Sequence, residues 1–344
     1  MFNPSLITFQ KVLGREVSPA FFSSEELDVL SREKFLITGA GGSIGSRIVK
    51  LLSTIPGVQF LATDRDESAL HSLSLSLNTS ALFDSSNFEL LDIRDRPGME
   101  SCFSKYMPTV VIHAAALKHL SVLQKQPREA MLTNVFGTMD LVDLSIRSGV
   151  KNFVNISTDK AASPTSVLGI SKLIAEFYVS HHRKVSNISY TSCRFGNVFN
   201  SRGSVIETFI RQMEVGAPIT LTHPEITRFF MHTDEAAFLT LKSLLINKGD
   251  IHIFEMGEAV RIIDVVTKMQ DILQTNSQIL VTGLREGEKL NEILFENESM
   301  LIDSGNPLIK VLNFDPKIYE VLSGALRLLS VRDNELTLKL IAEF

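Results

Sequence analysis

From Lys34 onward the chain alternates short apolar runs with longer amphipathic stretches. The runs at 35–38, 58–62, 88–91, 110–113 and 153–156 show little internal alternation of polar and apolar positions. Such runs suit strands buried on both faces, as in a parallel sheet covered by its crossover helices. The stretches between them are long enough to supply those helices, so the pattern predicts repeated βαβ units. Residues 188–194 predict a further strand. Beyond it the elements shorten and mix, with turn signals at 200–203, 216–218 and 223–224. Residues 1–32 have no strand–helix rhythm and read as an N-terminal arm. Within it, FSSEELDVLSRE predicts a short helix capped by Ser23 or Ser24, with acidic residues in its first turn. The arm also carries Phe21, Phe22, Leu27 and Leu30, which need cover on the body or on a neighbouring subunit. The fold class expected is α/β. A Rossmann-type doubly wound parallel sheet occupies 33–195, and a smaller, mixed α/β substrate lobe occupies 196–344, interleaved with the last Rossmann elements.

The first predicted strand runs into Thr38-Gly39-Ala40-Gly41-Gly42-Ser43-Ile44-Gly45, and a helical pattern follows. Glycines between strand and helix allow a tight turn and a close backbone approach to a pyrophosphate. The helix N-terminus then offers free N–H groups and a positive dipole end. Gly39, Gly42, Ser43, Ile44 and Gly45 are the candidate cofactor contacts. Asp64 ends the second strand, where a carboxylate can accept the adenosine ribose hydroxyls and favour NAD. Arg65 follows it and could instead pair with the 2′-phosphate of NADP. Asp92 and Ile93, past the third strand, could hold the adenine edge or form an ordinary turn.

Ligands of an open parallel sheet collect at the carboxyl ends of its strands. The fourth strand ends in His113-Ala114-Ala115-Ala116-Leu117-Lys118-His119, where Ala114, Ala115 and Ala116 would let a nicotinamide ring lie against the backbone. The fifth ends in Ser157-Thr158-Asp159-Lys160, setting a hydroxyl, a carboxylate and an ammonium side by side. On the next predicted helix, Lys172 occupies the place of the lysine in the Tyr-x-x-x-Lys pattern of short-chain dehydrogenases, suited to a nicotinamide ribose. The tyrosine position holds Leu168, which cannot exchange a proton, so the chemistry rests on Thr158, Asp159 and Lys160.

With these motifs the chain resembles the UDP-N-acetylglucosamine 4,6-dehydratases of bacterial polysaccharide biosynthesis, within the extended short-chain dehydrogenase/reductase superfamily. The resemblance runs from about residue 12 to 295 through VLGREV, TGAGGSIGS, HAAALKH, NISTDKAASPTSVLGISK, RFGNVFNSRGSV, THPEITRFF, GDIHIFEMGE and GLREGEKLNE. It implies oxidation at C4 of the hexose, loss of water across C5 and C6, and return of the hydride to C6. Asp159 would be the acid at C6, Lys160 the base at C5, and Thr158 the group that takes the C4 hydroxyl proton. The resemblance assigns Asn197, Arg202, Arg228, Arg285 and Glu288 to the UDP moiety, and Lys118 and His119 are placed with them as substrate contacts. Members that invert C5 resemble the tyrosine pattern. The large membrane-type members, which retain C5, often carry methionine there, and Leu168 matches their apolar choice. Retention at C5 is therefore expected.

The net charge of -5 argues against a general nucleic-acid binder. No apolar stretch reaches the roughly 18 residues of a membrane span, and residues 1–17 lack the form of a signal peptide. Cys102 and Cys193 stand far apart without metal spacing, and His113, His119, His223 and His232 show no ligand pattern, so no metal is assigned. A cytoplasmic homo-oligomer acting on a UDP-N-acetylhexosamine is expected, with NAD, or NADP, as cofactor. The rival readings are a nucleotide-sugar 4-epimerase or ketoreductase on the same fold, and a non-catalytic cofactor-sensing protein.

Overall fold

The five apolar runs become the strands β1 (Lys34–Thr38), β2 (Gln59–Asp64), β3 (Phe88–Leu90), β4 (Val110–His113) and β5 (Asn152–Ile156), and the further strand expected at 188–194 becomes β6 (Ser189–Arg194). Their β-branched and aromatic side chains alternate between the two faces of one sheet. Phe35 and Ile37 join Val49, Leu52, Val110 and Ile112 on one face, while Leu36 joins Val111, Phe153 and Ile174 on the other. Both faces are covered, so both sets are buried. The computed structural model describes residues 2–17, 21–77, 85–186, 188–296 and 298–314. The expected lobe therefore extends past the described residues at its C-terminal end.

The main sheet has the order Leu301–Asp303, Ile309–Leu312, Ile251–Phe254, β6, β5, β4, β1, β2, β3. Pairings from β3 through Ile251–Phe254 are parallel. The last two are antiparallel. The chain leaves β1 toward β2 on one side and returns to β4 on the other, which opens a crevice at the strand ends between β1 and β4. This is the Rossmann-type arrangement that the apolar pattern predicted. The parallel strand Ile251–Phe254 and the hairpin beyond it extend the sheet past what that pattern singled out.

The helix Ser43–Ser53 buries Gly45, Ile48, Val49 and Leu52, the i, i+3, i+4, i+7 face of an amphipathic helix. The helix Thr233–Ser243 packs on it and adds Ala237 and Leu241 to the same core. Helices Gly137–Arg147 and Val167–Ser186 cover the opposite face. A separate core gathers Phe199, Ile206, Phe209, Ile262 and Val266. Ile7, Phe9 and Val12 of the arm complete it. Ser23 caps the predicted helix through a full capping box with Glu26. Leu30 enters the Rossmann core and Phe22 packs on Phe238, whereas Phe21 is 74% exposed.

Candidate active site

β1 ends at Thr38, and the chain turns at Gly39 with φ +69°. A Cβ there would lie 2.4 Å from the Ala115 nitrogen, so glycine is what lets the loop after β1 meet the loop after β4. Gly45 works between helix and strand: its Cβ would stand 2.2 Å from the Gly39 carbonyl oxygen. Gly42 opens the helix Ser43–Ser53 with extended backbone and no side-chain cap. The first N–H groups of that helix, from Ser43, Ile44 and Gly45, have no carbonyl one turn back and are left for an anion. Asp64 braces the loop, its Oδ2 accepting from the Gly41 N–H at 2.8 Å and its Oδ1 from Asp66 N–H at 2.9 Å. Gly41 was not among the sequence candidates, yet its Cβ would strike Ala69 Cβ at 2.5 Å.

Arg65 lies 3.7 Å from Asp92, which also receives Arg94 at 2.7 Å. Burial pushes the Asp92 carboxyl up, but the Arg94 bonds and then the Arg65 charge outweigh it, and the group sits below its ordinary value. The Ile93 side chain belongs to the core, leaving only its backbone toward the site. His113, at the end of β4, is enclosed between Thr38 Oγ1 at 2.8 Å and Thr138 Oγ1 at 2.9 Å. Burial, helped by Lys172, pushes it down to about 3. It braces the end of β4 between β1 and the helix Gly137–Arg147. Asn134 holds that loop from the other side: its amide both accepts from Leu117 N–H and donates to Leu117 O, and it reaches Ser171 at 3.1 Å.

Thr158, Asp159 and Lys160 open a tight turn directly after β5. The Asp159 N–H donates to Phe195 O at 3.0 Å, which ties the turn to the strand end beside it. Asp159 Oδ1 accepts from Thr158 Oγ1 at 2.9 Å and from Lys160 Nζ at 3.0 Å. The residue is 0% exposed, and its Oδ2 has no hydrogen-bond partner among the described residues. Gly169 would put a Cβ 2.4 Å from Lys160 O, so the helix Val167–Ser186 lies directly on this turn. On that helix Lys172 is buried, with no hydrogen bond or ion pair to its ammonium among the described residues. Burial lowers it to about 8 against the opposing pull of Glu176. Leu168 is buried in the core with Val167 and Ile170, giving that flank an apolar wall. Glu176 itself pairs with Arg194 of β6 through two bonds, at 3.1 and 2.6 Å.

The substrate-side candidates divide. Lys118 donates to Arg202 O at 2.7 Å, and Gly203 fits against the ring of His119. Burial and the nearby Arg202 both lower Lys118. Arg202 stands over the dinucleotide loop: its N–H donates to Ser43 Oγ at 3.1 Å and its guanidinium reaches Asp66 at 3.2 Å. Its place is thus on the cofactor flank. Arg228 is buried and gives its donors to Thr227 O, Leu290 O, Lys289 O and Glu288. It shapes the segment that follows the helix Ile262–Leu273. Glu288 joins Arg228, Thr222 and the Arg285 N–H, while the Arg285 side chain is exposed. Asn197 is half-buried in the short strand Asn197–Val198, paired with Phe230–Met231.

Sequence reasoning also passed over Asn134 and Glu292. An amide inside the apolar run MLTNVF was the available signal for the first, since a buried amide needs partners. Glu292 closes the GEKLNE stretch and reaches Lys160 at 3.7 Å. Among the described residues no group of three or more His, Cys, Asp or Glu is placed to hold a metal, and Cys102 and Cys193 are buried free thiols. No helix of the described residues is long and apolar enough to cross a membrane.

Residues 35–312 match the family described as polysaccharide biosynthesis protein. The probable polysaccharide biosynthesis protein EpsC of Bacillus subtilis is 38% identical over 84% of this chain, and the match spans 49% of EpsC. The chain therefore spans about half the length of that curated relative. A UDP-glucose 4-epimerase of Rickettsia rickettsii is 34% identical over 77% of this chain and 78% of its own length. Among solved structures, Pen of Bacillus thuringiensis superposes with a TM-score of 0.74 at 29% identity, covering 83% of this chain and 89% of Pen.

Proposed function

Since the chain belongs to the polysaccharide biosynthesis protein family, we propose that it is an NAD-dependent UDP-N-acetylglucosamine 4,6-dehydratase that retains configuration at C5. The observation that carries this reading is the Thr158–Asp159–Lys160 turn, with Asp159 buried and both neighbours bonded to its Oδ1, lying against the helix that carries the buried Lys172 and leucine at 168. A dinucleotide fits the residues present. The glycine cradle admits no Cβ at Gly39 or Gly45, the helix at Ser43 opens without a side-chain cap, and Asp64 ends β2. Lys172 would hold the nicotinamide ribose. Arg65 and Arg202 each face a carboxylate, Asp92 and Asp66, which supports NAD over a 2′-phosphorylated form.

The bound nicotinamide would accept hydride from C4 and return it at C6. Thr158 would take the C4 hydroxyl proton and pass its own hydroxyl hydrogen, already directed at Asp159, to that carboxylate, leaving Asp159 protonated for the elimination. The C4 carbonyl acidifies the C5 proton, which Lys160 would remove. Asp159 would give a proton to the departing C6 hydroxyl from Oδ2, the oxygen that no protein group occupies among the described residues. Leu168 offers no second proton donor on its flank, so Lys160 would return the C5 proton to the face it came from.

The test is incubation with UDP-N-acetylglucosamine and NAD, read by mass spectrometry and NMR. Loss of one water with a 4-keto group supports the dehydratase reading. In heavy water, deuterium at C5 with unchanged configuration supports retention, and an inverted C5 defeats it. The Rickettsia relative favours a second reading, a UDP-sugar 4-epimerase. That reading predicts a product of unchanged mass with C4 inverted.

A further inference from the structure

Lys160 is held from two sides. On its own turn the ammonium lies 3.0 Å from Asp159 Oδ1, and from the C-terminal lobe Glu292 brings Oε1 to 3.7 Å. The Glu292 side chain is 2% exposed, and Lys289 stands 3.4 Å from its other oxygen. Carboxylates and ammonium groups therefore alternate in one line, the carboxylates buried and the lysines half-buried: Asp159, Lys160, Glu292, Lys289. Lys289 also donates to Ala162 O at 2.7 Å, pinning the lobe segment to the end of the catalytic turn. Upstream, Thr165 Oγ1 donates to Gly287 O at 3.1 Å, and a Cβ on Gly287 would meet Ser166 Cβ at 2.8 Å. The segment is moulded onto the turn along its length.

A buried carboxylate is costly unless cations pair with it. Lys289, on the same segment, already supplies one; Glu292 nevertheless reaches across to a second cation on another element. A lysine has a long flexible stem, and one carboxylate beside it in sequence leaves its amine free to swing. A second anchor from across the site fixes its direction, which is what proton transfer at a defined carbon demands. We propose that Glu292 is a positioning residue that aims the Lys160 amine at the reacting carbon and keeps it off Asp159 Oδ2. The proposal deepens the dehydratase reading and rests on it.

The test uses the full chain with NAD and UDP-N-acetylglucosamine, comparing wild type with Glu292→Gln and Glu292→Asp. Glu292→Gln should lower kcat about tenfold or more, the scale of one lost charge-assisted contact. KM should change less than about threefold, because the sugar nucleotide keeps its contacts. Glu292→Asp keeps the charge and should recover part of the rate. A second readout needs no turnover: the acetylation rate of Lys160 by an amine-reactive reagent, followed on its peptide by mass spectrometry. That rate should rise several-fold in Glu292→Gln at unchanged melting temperature and stay lower in Glu292→Asp. If Glu292→Gln does not fold, Glu292→Asp still carries the comparison, with its shorter arm giving a rate above wild type. Wild-type Lys160 reactivity in the variants, or a kcat that falls only in step with melting temperature, would overturn the proposal. A wild-type enzyme that makes no 4-keto product would sink the dehydratase reading, while the reactivity measurement still decides whether Glu292 holds the amine.

Discussion

In the proposed reaction the chemistry turns on Asp159, whose two oxygens have different surroundings. Oδ1 is saturated by Thr158 and Lys160, and Oδ2 is buried without a hydrogen-bond partner among the described residues. Asp159→Asn keeps the shape and removes the transferable proton. Turnover should fall by about 10²–10⁴, the usual scale of lost acid–base catalysis, with sugar-nucleotide affinity nearly unchanged. Near wild-type dehydration by that variant would refute the assignment. Lys172 gives a second test, through stability. Burial pushes it down to about 8 from 10.5, so the folded chain binds this proton less readily than the unfolded chain. Stability then rises with pH across that interval, and the penalty is complete below it. Lys172→Met should therefore raise the melting temperature of cofactor-free protein at neutral pH, and the gain should shrink toward pH 10, while NAD affinity falls. Melting curves at both pH values check this, and a gain that grows with pH would count against it. The sequence marked Asp159 as a candidate because it follows a strand end, and Lys172 by its spacing on the next helix. It did not reveal where Arg202 and Arg228 point. Spacing names the loop that carries an arginine, whereas its direction depends on partners such as Asp66 and the 289–290 backbone, which come from distant segments.

At the scale of elements, the strand–loop–helix unit at 34–53 shows how local sequence becomes a binding surface. The helix can approach β1 only because residue 45 lacks a side chain; added carbon would meet backbone, which cannot swing aside. Gly45→Ala should push the helix N-terminus away from the loop. NAD affinity should drop at least about tenfold, since even one lost charge-assisted contact to a phosphate is worth that much. Binding followed by cofactor fluorescence would reveal it, and unchanged affinity would mean that the loop absorbs the strain. The first five strands of this half were readable because two-sided burial leaves apolar runs, whereas Ser189–Arg194 is buried but carries mostly polar residues. The lobe was less so. Asn197–Val198, Thr227–Arg228 and Val260–Arg261 are two-residue strands, too short for any period to register. Their order comes from tertiary pairing, as between Arg228 and Val260.

At the scale of the whole molecule, the arm joins the two ends of the site. Ile7, Phe9 and Val12 are 6%, 4% and 0% exposed in the lobe core, and Phe9 packs edge-on against Phe199 at 5.6 Å. Arg15 then forms two bonds to Glu235, at 2.7 and 2.9 Å, and stands 4.8 Å from the centre of the Phe9 ring. Glu235 in turn accepts from the His232 N–H in the capping box of the helix Thr233–Ser243. That helix packs on the dinucleotide helix, where Asp234 pairs with Arg47. One continuous set of contacts thus runs from the arm through a lobe helix to the cofactor half. Burial of three large apolar side chains stabilises by about 1.5–3 kcal/mol each as an upper bound. Deleting residues 1–17 should therefore lower the melting temperature clearly and weaken NAD binding as well, because the helix that supports the loop loses its brace. Arg15→Ala should do less of both, since it removes the ion pair but leaves the apolar contacts in place. Thermal unfolding and NAD titration of both variants separate the contributions. A deletion that lowers stability but leaves NAD affinity intact would limit the arm to the lobe, and an unchanged melting temperature would show that its buried side chains do not support the fold.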